Sequence, residues 1–441
     1  VSMSEIHTSS EALSMRMLLL CVDAPCRMPP NEDPVEAGPA GHHLGMTDHL
    51  AESFDALLDT LRDRAAWLRD HPFYEDEENR PGAYAFLLHM LIGHLEEDLL
   101  FDPDFPTFRV IDPRTRSGGD NADQRYLMSR VTGGETYRIW GRVGAERRVE
   151  LQIYAGDPYV AGGGGRSAGF LAYEDLEVAL DGTFEVIASP DRRPGNWLEN
   201  PPDGTRILVR QTYGAWADAD MGEIHIDRVG HEGDLRPARS AEDLRAGLER
   251  ATAGVDLHLG LWPEMVRNLY VESRPANTIS DPIDPGAVGG VSGRFMAFGL
   301  WDLADDEALV VTTWPADGNY QGIQLTDLWW SSLEYANRQT SLTGDQAVAG
   351  DDGSYTFVLA ATDPGVANWL DTMGRRRGVI MLRFDGTRSP EFDPAHKPVA
   401  RVVPRSELDR ELGPGVPRID AEGRRVAIAA RRRHVQVRFN T

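Results

Sequence analysis

The chain has 441 residues, beyond the roughly 250–300 at which a single hydrophobic core stops growing, so more than one domain is required. With 41% hydrophobic and 26% charged residues it is not a disordered chain, and a net charge of −25 repels nucleic-acid phosphates over most of its surface. Two cysteines, Cys21 and Cys26, exclude a disulfide framework and a four-cysteine zinc site, and they suit a reducing, cytoplasmic setting.

Residues 1–45 are polar, rich in Pro, Gly and Ser and without periodicity, which predicts a flexible tail. Within it "MRMLLLCVDAPC" (15–26) has too short an apolar run for a signal peptide or a membrane span. Residues 46–102 read as a helical portion. Thr47 is the N-cap candidate, and Leu50, Phe54, Leu57, Leu58, Leu61 and Leu68 keep near-helical spacing. A second helix runs from about Gly82 to Leu100, opened by Pro81. Residues 103–235 change to short alternating runs such as "TYRIWGRV" and "RVELQIY", the pattern of a β module. Residues 236–290 form a helix and linker, with Ser240 and Asp243 spaced as a capping box and breakers crowding 273–290. A second β module spans 291–390. The extension 391–441 ends in a basic helix capped by Asp420, with Val426, Ala429, Ala430 and Arg433 at helical spacing, suited to docking on the β modules or another subunit.

The two β regions share landmarks. "GAERRVELQIY" (144–154) matches "GNYQGIQLTDL" (318–328), aligning Glu150 with Gln324, and "DGTFEVIAS" (181–189) matches "DGSYTFVLA" (352–360). Asn-Trp-Leu follows in each, at 196–198 and 368–370, and then a strand carrying Arg210 or Arg383. These matches predict an internal duplication. The stretch "GGDNADQRYLMSRV" resembles bacterial domain-of-unknown-function family 1254, and the run from "DG" through "NWL" to "VRQTY" resembles family 1214. That resemblance covers about residues 105–216 and 291–388 and implies jelly-roll-like sandwiches of unassigned activity. The second copy departs from it, reading "LRFDG" where Arg-x-Tyr is expected, which weakens any shared role of Arg383. The fold class expected is therefore mixed α+β, mainly β: two duplicated jelly-roll-like β-sandwich modules, an N-terminal helical portion, and linking and C-terminal helices.

Familiar catalytic signatures are absent, including the Gly-x-Ser-x-Gly elbow, His-Glu-x-x-His, a Walker loop and a dinucleotide fingerprint. The glycine-rich "AGDPYVAGGGGRSAGF" (155–170) lacks the Lys-Ser/Thr ending of a phosphate loop. Its counterpart, "WWSSLEYANRQTSLTGDQ" (329–346), concentrates aromatic and polar side chains, the mixture that binding pockets use. Its plain alternative is two tryptophans packed into a core. The ligand-binding set predicted is Trp329, Tyr335, Arg338 and Gln339, facing Tyr126 and Arg130 of the first module across a cleft. Arg130, Arg138 and Arg142 could form a stripe for an anion, or a solvated face. His94 and Asp98, four apart on a helix, read as a local pair, with His89 on another face. His225, Asp227 and His231 could meet at a metal, but their spacing matches no known site. The function expected is an enzyme acting on a carbohydrate-like or lipid-like metabolite, with catalytic residues unassigned. The alternative is a non-catalytic binding or assembly protein that uses the duplicated sandwich as an interface. No cofactor or metal is expected, nor nucleic-acid or membrane partners; a small-molecule ligand is, with room for a homo-oligomer.

Overall fold

The computed structural model describes residues 48–156, 166–217, 220–284, 293–389 and 391–440. The expected tail, both cysteines, most of the glycine-rich loop and linker residues 285–290 lie outside the described residues. Helix α1 (His49–Asp70) is capped by Asp48, whose carboxylate accepts from Ala51 N at 3.2 Å. The cap is thus one residue after Thr47, because the aspartate reaches the free first-turn amides. Helix α2 (Arg80–His94) ends short of Leu100 and widens into a π-turn over Leu95–Leu100 that turns Glu97 and Asp98 inward. Helix α3 (Ala241–Val266) starts at the Ser240–Asp243 capping box. Among the described residues no helix is long and apolar enough to cross a membrane.

Among the described residues, nine strands build each of two sandwiches. In the first, β1 (Arg109–Ile111), β2 (Gln124–Arg130), β8 (Gly204–Thr212), β4 (Arg148–Ala155) and β5 (Arg166–Leu171) form one sheet in that order. The opposing sheet runs β7 (Trp197–Glu199), β6 (Thr183–Ser189), β3 (Tyr137–Arg142), β9 (Glu223–Arg228). In the second, the order is β10 (Thr278–Ile279), β11 (Arg294–Asp302), β17 (Arg377–Asp385), β13 (Tyr320–Thr326), β14 (Ser341–Thr343). It faces β16 (Trp369–Asp371), β15 (Tyr355–Ala360), β12 (Glu307–Thr313), β18 (Val399–Pro404). Strand for strand the two orders coincide. The second sandwich recruits β10 from the expected linker and β18 from beyond residue 390.

Alternation explains both cores. Val149, Leu151 and Ile153 of β4 point inward against Ile207 and Val209 of β8, while Ile323 and Leu325 of β13 meet Ile380 and Leu382 of β17. Both asparagines of the Asn-Trp-Leu pair do the same work. Asn196 brackets Glu177 through its N–H and C=O at 2.8 Å each, and Asn368 brackets Val348 at 2.8 and 2.7 Å. The Arg landmarks are out of step by two residues: β8 sets Arg210 opposite Glu150, whereas β17 sets Arg383 opposite Gly322 and Met381 opposite Gln324.

The outer faces of the two five-stranded sheets confront each other. Arg294 Nη2 donates to Glu150 at 2.7 Å, Arg148 to Asn319 at 2.6 Å, and Tyr320 OH to Asp123 at 2.7 Å. Beside that contact α2 and α3 share an apolar core with the second large sheet, where Leu87, Met90, Val255 and Leu259 cluster with Leu300, Val379 and Met381. They meet the first large sheet through polar contacts such as Arg130–Asp98 and Arg206–Glu97. The short helix α4 (Leu408–Leu412) precedes α5 (Ala421–Phe439), which docks back on the modules. It does so through a face other than the expected one: Val426 is 56% exposed, while Arg424, Arg431, His434 and Arg438 are buried.

Candidate functional site

Outward residues of the first large sheet follow from the same alternation. On β8, Arg206, Leu208 and Arg210 face away from the core, and on β2 so do Tyr126, Met128 and Arg130. Helices α2 and α3 span this face and leave a cavity of about 270 Å³. Its floor holds Tyr126, Met128, Tyr154, Arg206, Leu208 and Arg210; its roof holds Met90, His94, Glu97, His258 and Trp262; the segment 115–120 closes one side. Gly118 and Gly119 of that segment both take left-handed backbone, at φ +64° and +65°. A Cβ would lie 3.3 Å from the Trp262 ring at Gly118 and 2.6 Å from the Trp330 ring at Gly119, so glycine lets the segment pass under the two indoles. Arg383 of the second module holds the Gly119 carbonyl at 2.5 Å.

A chain of hydrogen bonds ends at the cavity wall. Arg130 Nη1 donates to Asp98 Oδ1 at 2.6 Å; Asp98 Oδ2 meets His94 Nδ1 at 3.1 Å; His94 Nε2 meets His258 Nδ1 at 2.7 Å. The imidazoles stack at 4.9 Å, and His258 stacks in turn on Trp262 at 5.6 Å and 7°. Burial opposes the Asp98 charge, but the bond from His94 and the Arg130 and Arg206 guanidinium groups outweigh it and hold its carboxyl below the ordinary range. Burial, with His94 and Arg206 adding to it, pushes His258 well below the ordinary imidazole value.

An ionised Asp98 can only accept, so His94 Nδ1 carries hydrogen. Two arrangements then satisfy the 2.7 Å contact. In one, His258 Nδ1–H donates to His94 Nε2 and His258 Nε2 bears a lone pair. In the other, one proton more, His94 donates and His258 Nε2 bears hydrogen. In either arrangement the His258 ring stands in the cavity lining with its Nε2 enclosed by its neighbours.

The structure brings Tyr126 and Arg130 to this site. The Tyr126 ring lines the floor, its oxygen accepting from Asn121 N at 3.0 Å, and Arg130 stands behind Asp98. Their expected partners sit elsewhere. Trp329 is fully buried in the helical core, with Nε1 on the Asn79 carbonyl at 2.8 Å. Tyr335 packs beneath α5 near Trp216, Arg338 pairs with Asp371 at 2.7 Å, and Gln339 donates to the Ala367 and Trp369 carbonyls. Arg138 and Arg142 lie on the other sheet, paired with Glu185 and Asp220. An arginine row does exist on the cavity floor, carried by Arg206 and Arg210 of β8. His225 and Asp227 flank Trp140, and His231 pairs with Asp234. Sequence reasoning missed His258, although Gly254, His258 and Trp262 recur every four residues along one face of α3.

No family profile and no curated protein matches the chain. Among solved structures, the crystal structure of an uncharacterized protein from Burkholderia cenocepacia is 30% identical, over 82% of this chain and 99% of that one, at a TM-score of 0.72. This chain belongs to the family of that Burkholderia protein. A Vibrio parahaemolyticus protein is similar at 13% identity and a TM-score of 0.43, over 73% of this chain and 98% of that one. A vicilin from Solanum melongena is similar at 10% and 0.17, over 72% and 89%.

Proposed function

We propose that the chain is an enzyme that transfers a proton to or from a small molecule held in the cavity between the first large sheet and helices α2 and α3. His258 is the acid–base group, His94 relays to it, and Asp98, fixed by Arg130, orients His94. The observation that carries this reading is the Arg130–Asp98–His94–His258 chain ending at the cavity wall. A buried, partnered imidazole whose proton affinity is shifted, as that of His258 is, is common at sites of acid–base chemistry. The matching order of nine strands in each sandwich supports descent from one duplicated, jelly-roll-like unit, in keeping with the resemblance to families 1214 and 1254. Its two copies have since diverged, and the cavity belongs to the first.

A pool of small organic acids incubated with the protein in deuterated water, followed by mass spectrometry, tests the activity. Wild type converts or deuterates at least one component; His258→Gln and Asp98→Asn slow this by about 10²–10⁴-fold while the folded state persists. Equal rates in wild type and both variants would remove His258 and leave a binding protein.

A further inference from the structure

We infer that the ligand of this cavity carries a carboxylate, received by Arg210, with its apolar body lying toward Trp262. The inference rests on the cavity being the ligand site, as proposed above, and adds the chemical class of what enters it.

Arg210 differs from the arginines around it. Arg109 pairs with Glu96, Arg130 with Asp98, Arg206 with Glu97, and Arg148 and Arg294 with Glu150. Arg210 instead donates Nη1 to Gln152 Oε1 at 2.7 Å and Nη2 to the Tyr154 hydroxyl at 3.0 Å. Both partners are neutral, and among the described residues no carboxylate forms an ion pair with it. In a chain with 70 acidic residues against 45 basic ones, that is an exception needing a cause. Gln152 and Tyr154 come from the outward row of β4, so two neighbouring side chains orient the fork, while Glu150, opposite Arg210 in the strand register, acts on it through its field and is itself bound by Arg148 and Arg294. A guanidinium offers five N–H donors; these two bonds leave the others for a planar acceptor.

The surroundings fit the same ligand. Three arginines against two carboxylates line the cavity of a protein whose net charge is −25, which draws a small anion to this spot. Of the two carboxylates, Glu97 is engaged by Arg206, and Asp120 accepts from Ser332 N at 2.9 Å and Oγ at 2.6 Å. Met90, Met128, Leu208 and Trp262 supply the apolar wall. At about 270 Å³ the space is near the lower end of ligand pockets, the scale of a compact organic acid.

Isothermal titration of the full chain with benzoate and hexanoate, against benzamide and hexanamide, tests this. Both acids bind and the isosteric amides bind at least tenfold more weakly. Arg210→Gln loses at least tenfold for the acids, and Arg210→Lys recovers part, having charge without the fork. Arg142→Gln, on the far sheet, binds the acids as wild type does, which excludes a general charge effect. No binding of either acid, equal binding of the amides, tighter binding of inorganic phosphate, or undiminished binding by Arg210→Gln each overturns the assignment. The two readings fail separately: a protein that binds acids through Arg210 yet turns nothing over loses its catalysis and keeps its ligand class.

Discussion

Gly254 has no side chain, and the His94 ring occupies the space one would fill: a Cβ there would lie 2.3 Å from ring atoms. On helix propensity alone Gly254→Ala gains about 1 kcal/mol. The clash reverses the sign, because His94 is held at both nitrogens and cannot swing away without breaking the bond to Asp98 or to His258. Gly254→Ala therefore lowers the melting temperature and slows turnover. Gly260→Ala on the same helix, where a Cβ meets only the far end of the long Arg64 side chain at 3.2 Å, leaves both intact or gains stability. A calorimetric melt of the two variants side by side checks this. His258 also predicts a pH dependence. Its native proton affinity lies well below the unfolded value of 6.5, so below that pH the unfolded chain binds the additional proton. Stability from the neutral ring is complete above 6.5 and is lost as pH falls towards the depressed native value. The buried carboxyls of Asp120, Asp123 and Asp327, raised by burial, act in the opposite direction. The comparison to make is therefore wild type against His258→Gln, in urea titrations from about pH 8 to about pH 5. The wild type loses more stability over that range; parallel curves would refute the assignment.

At the scale of elements, helix α5 shows what periodicity can and cannot disclose. Its start at Asp420 was legible, and the aspartate accepts from Gly423 N at 2.7 Å. Its buried face was not, because three arginines, Arg424, Arg431 and Arg438, make up most of it. Arg431 donates Nε to the Tyr335 carbonyl at 3.0 Å, Nη1 to the Ser341 carbonyl at 2.9 Å and Nη2 to the Ser341 hydroxyl at 2.8 Å, and its guanidinium lies 4.4 Å from the Trp216 ring. Burial lowers its pKa to about 10, still far above neutrality. A hydrophobicity pattern assigns such residues to solvent; only the carbonyls and indole of distant segments make them interior. Arg431→Met keeps the bulk and strands two carbonyls, so a loss of about 3 kcal/mol is expected at the denaturant midpoint. Arg431→Lys restores one charge without the fork and recovers part of it. A change under about 0.5 kcal/mol for Arg431→Met would mean that α5 docks through other contacts.

Across the whole molecule, what could be read from sequence is what local pattern encodes. The strand runs, the Asn-Trp-Leu corners and the Ser240 cap each lie within a short window, and the structure has them. The cavity is assembled from residues 90–130, 154–210 and 258–262, brought together only when α2 and α3 cross the first large sheet, and no window contains it. The contact between the two modules is equally non-local. Glu150 is 1% exposed and receives Arg148 at 2.8 Å from its own strand and Arg294 at 2.7 Å from the other module. Burial works against its charge, but Arg294 and Arg148 outweigh that and hold its carboxyl below the ordinary value. Asp385 stands beside the same groups, and there burial prevails, with Arg294 opposing and Glu150 assisting, so its carboxyl is raised. One negative charge is thus firmly seated between the sandwiches and a second is disfavoured. Glu150→Gln removes the seated charge. Arg148 keeps Glu174 and Asn319, and Arg294 keeps the field of Asp385, so the loss at neutral pH falls near the low end for a broken buried pair, about 3 kcal/mol. The pH profile gives the sharper test. With a native value below the unfolded 4.5, Glu150 contributes stability that is complete above 4.5 and disappears as pH falls through the native value. Wild type and Glu150→Gln therefore converge in acid and diverge as pH rises through 4.5. Curves that stay equally far apart throughout would show that Glu150 holds the modules by shape and hydrogen bonding alone, with its charge contributing nothing.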